Sequence, residues 1–145
     1  MKTHNKKCLF SLWLCTLLFA LRIIAQPLST TGYFSYLPPF DTWYSGALPY
    51  PLLLIFQGLI LLLMLYVNVR WSSGIAIPNL STGKRLLGVG ALYMAAMLAR
   101  LILGLTFMKG HPWFDRPLPT AFHIVLACYV LILSAMHLRS SPGRS

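Results

Sequence analysis

Leu52-Leu53-Leu54-Ile55-Phe56-Gln57-Gly58-Leu59-Ile60-Leu61-Leu62-Leu63-Met64-Leu65-Tyr66-Val67-Asn68-Val69 contains no charged residue, and Arg70 closes it. As a helix this run extends about 27 Å, close to the thickness of bilayer hydrocarbon. A soluble helix of that length carries a polar face, and this one does not, so its solvent is lipid. Three further runs share the pattern: Cys8 to Ala25, Leu86 to Phe107 and Thr120 to Leu138, interrupted by only two full charges, Arg22 and Arg100. Over all 145 residues the chain is 57% hydrophobic and 10% charged, against about 25% charged in soluble domains. A solvated globular domain is excluded. The expected fold is all-α: a single integral-membrane domain forming an up-down four-helix bundle. Its spans cover 8–25, 52–69, 86–107 and 120–138, with loops over 26–51 and 108–119 on one side and over 70–85 on the other.

The net charge of +10 sorts by loop. One side receives Lys2, Lys6, Lys7, Arg70, Lys84, Arg85, Arg139 and Arg144, and the other only Lys109 and Arg116. By the positive-inside rule both termini face the cytoplasm, and the basic excess reports topology without any nucleic-acid partner. Both acids of the chain, Asp41 and Asp115, fall in the two outer loops.

The first run is read as a retained anchor, because Arg22 and Ile23 stand where a cleavage site wants small, uncharged residues; cleavage would leave three spans with the same orientation. Cys8, Cys15 and Cys128 all lie on spans and the outer loops have none, so no disulfide framework is implied.

Polar atoms in hydrocarbon normally point at protein, and helical spacing places them on one face of each span. Ser11, Cys15, Arg22 and Gln26 share a face of the first; Gln57, Met64 and Asn68 of the second; His123, Ala127, Val130, Ser134 and His137 of the fourth. On the third, Ala96 and Gly104 flank Arg100 by one turn, with Ala91, Ala95 and Ala99 alongside, and small residues at such spacing let helices approach closely. The first outer loop is crowded with aromatics, including Tyr33, Tyr36, Trp43 and Tyr50, which suits the headgroup layer; Asp41 is positioned to cap one short helical turn there.

Counted inward from the outer ends, Arg22 and His123 lie about 5 Å deep and Gln57 and Arg100 about 10 Å, beneath Asp41, Asp115 and His111. These residues carry two readings. In one, Arg22 and Arg100 snorkel outward and pair with Asp41 and Asp115, tying loops to helices. In the other, Arg22, Gln57, Arg100 and His123, with Asp41 and Asp115, form a ligand-binding layer for an anionic headgroup, carboxylate or quinone oxygen.

Other chemistries fit less well. His123 and His137 stand fourteen apart, a stacked-haem spacing, yet no other span carries a histidine to complete the ligation. His111, Asp115 and His123 match no defined metal pattern, and no metal or cofactor is expected. Ser81-Thr82-Gly83-Lys84-Arg85 lacks the glycine spacing and hydroxyl residue of a phosphate loop. Neither a Ser-His-Asp arrangement nor paired carboxylates exist, so the chain reads as non-enzymatic.

The loops read Leu37-Pro38-Pro39-Phe40-Asp41-Thr42-Trp43-Tyr44-Ser45-Gly46-Ala47-Leu48-Pro49-Tyr50-Pro51, then His111-Pro112-Trp113-Phe114 and Pro117-Leu118-Pro119-Thr120-Ala121-Phe122-His123. Together with four spans, this texture resembles a group of small, uncharacterised bacterial inner-membrane proteins, over Arg22 to His137. The resemblance implies an inner-membrane location and no activity, so no functional residue is carried over from it. The expectation is a multi-pass inner-membrane module that packs in the lipid bilayer against a membrane-protein partner or itself as a homo-oligomer. The alternative is a lipid- or quinone-binding protein or enzyme with a polar site in the outer leaflet.

Overall fold

The computed structural model describes residues 3–29, 43, 49–107, 110 and 117–140. Among the described residues four long helices make up the fold: α1 Thr3–Leu28, α2 Tyr50–Ser72, α3 Leu80–Thr106 and α4 Pro117–Ser140. All four are long and apolar enough to cross a membrane, and no strand occurs among the described residues. Each helix runs past its apolar core into more polar sequence, α3 by a full turn and more, because the backbone ladder continues until a cap satisfies its end. Asn79 supplies that cap: its Oδ1 accepts from the Thr82 N–H at 3.1 Å.

The turn between α2 and α3 is tight for a definable reason. The Ile75 N–H donates to the Arg70 carbonyl at 3.0 Å and the Gly74 N–H to the Trp71 carbonyl at 3.3 Å, the paired bonds of a Schellman motif. That motif needs a left-handed residue, and Gly74 takes it at φ 69°.

Cross-helix contacts set the directions. Trp13 Nε1 donates to Ser72 Oγ at 3.2 Å, so the start of α1 meets the end of α2. Arg22 lies over Phe122 at the other end, so the end of α1 meets the start of α4. Asn79 donates its N–H to His137 Nδ1 at 3.1 Å, which joins the start of α3 to the end of α4. Sequential helices therefore alternate in direction.

Their packing is less even than the alternation. The buried apolar core is formed by Leu12, Cys15 and Phe19 of α1, Met64 and Trp71 of α2, and Tyr129 and Met136 of α4. α1 packs on both α2 and α4, whereas α3 packs on α4 alone. This differs from the shared interior expected of the four spans. On α3 the buried positions are Gly83, Gly90, Arg100 and Gly104, and the alanines expected to face inward, Ala91, Ala95, Ala96 and Ala99, are exposed. The physical reason is close approach of α4 side chains to the glycines: a Cβ at Gly83 would stand 2.8 Å from a Leu138 methyl and one at Gly90 2.9 Å from a Leu131 methyl. α4 lies against glycine, and an alanine there would require the leucine side chains to shift. Ser134 adds a hydrogen bond to the Gly83 carbonyl at 2.8 Å. The phosphate-loop-like stretch from Ser81 to Arg85 is thus the first turn of a packed helix.

The other expected faces match in part: Ser11 is only half-buried on α1, and on α4 Ala127 and Ser134 are buried while His123, Val130 and His137 are half-buried. Cys15, Arg22 and Gln26 are buried on α1, and Gln57, Met64 and Asn68 on α2. Deep in the core the polar atoms are paired with one another. Asn68 Nδ2 donates to Thr16 Oγ1 at 2.9 Å, and the Tyr129 hydroxyl reaches Asn68 Oδ1 at 3.0 Å and the Met64 carbonyl at 3.1 Å. The three cysteines are free thiols.

Candidate polar site between α1, α2 and α4

Near the Arg22 end the core opens into a cavity of about 200 Å³. Arg22 from α1, Gln57 from α2 and His123 from α4 all line it, so three of the residues expected at one depth do converge. Phe19, Phe56 and Leu126 supply apolar wall, and Trp43 closes part of it from the segment between α1 and α2. Trp43 is helical and buried, stacked on Phe122 with ring centroids 6.2 Å apart. An aromatic assigned from the sequence to the headgroup layer is instead part of the protein interior.

Several polar atoms around this cavity have no hydrogen-bond partner among the described residues. Gln57 is 3% exposed, and neither its Oε1 nor its Nε2 has a hydrogen-bond partner among the described residues. Arg22 is 5% exposed and its Nε is likewise without one. Its guanidinium lies over the face of Phe122, with Cζ 5.0 Å from the ring centroid, a cation–π arrangement. One turn from Arg22, both amide atoms of the buried Gln26 are also without a partner among the described residues. Buried polar groups are nearly always paired, so a cluster that is not paired calls for an explanation.

His123 has one nitrogen engaged. The Tyr93 hydroxyl of α3 lies 2.6 Å from its Nδ1. Either the phenol donates to Nδ1 or Nδ1–H donates to the phenol oxygen, according to the tautomer, and in both cases Nε2 is left outside this bond. Arg22 and Arg100 both lie near enough to Tyr93 and His123 to act on them electrostatically. The layer therefore holds two guanidiniums, a phenol and an imidazole. Arg100 is buried on α3 and does not line the cavity itself.

Tyr93 was not signalled by the sequence reading, although it shares a face with Gly90 and Arg100 at helical spacing. Asp41 and Asp115, read as ion-pair partners or ligand contacts, lie outside the described residues, as does His111. Among the described residues no group of three or more His, Cys, Asp or Glu comes together to hold a metal.

A second cavity, about 250 Å³, lies at the opposite end against Tyr66, Arg70, Trp71 and His137. Its polar groups are already engaged. Arg70 Nη1 donates to the Tyr66 hydroxyl at 2.9 Å, and His137 accepts from the Asn79 backbone. The unpaired donors distinguish the Arg22 cavity as the candidate site. No protein-family model, curated protein or solved structure matches the chain.

Proposed function

We propose that this chain is a multi-pass protein of the bacterial inner membrane, with both termini cytoplasmic, that binds an amphipathic molecule by an oxygen-rich head in the outer half of the bilayer. Eight basic residues in the segments assigned to the inside and two in those assigned to the outside support the orientation. One observation carries the binding reading. Gln57 and Arg22 are almost wholly buried, line one cavity and present polar atoms that nothing among the described residues satisfies. Leaving such groups bare costs about 1–3 kcal/mol each, more when charged, and a ligand head removes that cost. Apolar walls with a few convergent polar groups are the usual form of a small-molecule site.

The test is purification in a mild detergent followed by mass spectrometry of the co-purifying lipids and quinones. The native protein is expected to retain about one amphiphile per chain, which a folded Arg22→Ala, Gln57→Leu variant loses. Identical species in identical amounts on both would overturn the reading.

A module packing against itself or a membrane partner is the second reading. It draws on α3, which packs on one helix only and leaves Gly88, Ala91, Ala95 and Ala99 uncovered. Cysteine crosslinking from Ala95→Cys in native membranes separates it from the first: a specific dimer or partner band supports it, and no band counts against it.

A further inference from the structure

We propose that the head taken by the Arg22 cavity is a single carboxylate at the end of an aliphatic chain, a long-chain fatty acid held by the Arg22 guanidinium; this rests on the reading of the cavity as a ligand site. The sign comes first. Arg22 is 5% exposed in a helix long and apolar enough to cross hydrocarbon. A cation in that position is stabilised by an opposite charge far more than by a neutral dipole.

The number of charges follows from which arginine lines the cavity. Arg22 does and Arg100 does not, so the walls supply one full positive charge and fit a monoanion. The donors around it suit a planar head. A guanidinium offers parallel N–H groups that match the two oxygens of a carboxylate. Gln57 Nε2 adds a neutral donor without a partner among the described residues, and His123 adds its Nε2, which the bond between Tyr93 and Nδ1 leaves unoccupied.

Size separates the carboxylate from bulkier heads. A cavity of roughly 150 Å³ accepts the six carbons of benzene, and this one measures about 200 Å³. By that comparison it takes about eight heavy atoms, a carboxylate and about five carbons of chain. A phosphodiester carries substituents on both sides and does not end within such a space. The rest of an acyl chain has a short way out, since Phe56 both lines the cavity and is 48% exposed on the membrane-facing side of α2.

The experiment uses the full chain, delipidated in maltoside detergent, with four probes: oleate, methyl oleate, dioleoyl-phosphatidylglycerol and decylubiquinone. Binding is read by native mass spectrometry and by the shift in melting temperature. Oleate is expected to bind one per chain, and methyl oleate, with the same tail and no charge, about tenfold to a hundredfold more weakly. Arg22→Gln is expected to erase most of that preference, and Gln57→Leu to weaken oleate without restoring the ester. Equal binding of oleate and methyl oleate, or tighter binding of the phospholipid or the quinone, overturns the carboxylate while leaving the cavity as a ligand site if Gln57→Leu still weakens it. Failure of all four probes, or binding indifferent to both substitutions, overturns the cavity reading as well. Should Arg22→Gln fail to fold, the comparison of acid with ester on the native protein decides.

Discussion

Two buried amides on α2 are expected to respond to the same substitution with opposite signs. Gln57 is 3% exposed and makes no hydrogen bond among the described residues, whereas Asn68 is 0% exposed and makes two. Gln57→Leu replaces an unsatisfied amide with an apolar side chain of similar length and removes a desolvation cost of about 1–3 kcal/mol. The ligand-free protein should become more stable by about that amount, while retaining its amphiphile more weakly. Asn68→Leu does the reverse. It strips a partner from Thr16 Oγ1 and from the Tyr129 hydroxyl. The loss is softened because Tyr129 keeps the Met64 carbonyl and Thr16 keeps the Leu12 carbonyl at 2.9 Å. Hydrogen bonds between membrane helices average about 0.6 kcal/mol, so two of them place the cost of Asn68→Leu at about 1–2 kcal/mol. Reversible unfolding in mixed micelles, on delipidated samples, measures both changes. Destabilisation by Gln57→Leu equal to that by Asn68→Leu would refute the reasoning, since it would mean that Gln57 is satisfied within the protein.

Further outcomes follow from individual contacts. Tyr93→Phe removes the hydroxyl 2.6 Å from His123 Nδ1; it should lower stability by about 0.5–1.5 kcal/mol and weaken ligand retention, checked by thermal unfolding with and without the bound amphiphile. Gly90→Leu forces a side chain into Leu131 and Val130, whereas a Cβ at Gly88 meets nothing within 4 Å, so Gly88→Leu starts into open space. The first should cost about 1–3 kcal/mol or more and the second little, and the same unfolding assay compares them. Fusion reporters after Ser145 and near Ser45 should read cytoplasmic and external respectively, and the reverse pattern would overturn the orientation.

The inward faces of α1 and α2 were legible because a polar atom inside an otherwise apolar run has only one inexpensive direction to point. Gln57 and Asn68, eleven residues apart, fixed the face of α2, and the structure buries both. α3 was not legible in the same way. Its small residues occur on several faces, and alanine spacing pointed to the side that is exposed. What decides the packing is the glycine pair Gly83 and Gly90, seven residues apart, and their importance depends on where Leu138 and Leu131 of α4 arrive. Tyr93 was silent for a related reason. A tyrosine within a span acquires a role only when a distant residue, here His123, comes to meet it. Trp43 belongs to a loop whose composition suited the headgroup layer, and nothing in its neighbours encodes insertion against Phe122. Convergence of Arg22, Gln57 and His123 could be read by counting depth, because helices in a bilayer share one axis of measurement.

The most direct measurement is an experimental structure of the native protein extracted with its own lipids, inspected at the cavity bounded by Arg22, Gln57 and His123. The account requires non-protein density there, with a polar head within hydrogen-bond distance of the Arg22 and Gln57 side chains and a tail leaving past Phe56. A cavity filled by protein, with Asp41 or another side chain pairing Arg22 and Gln57, would contradict it.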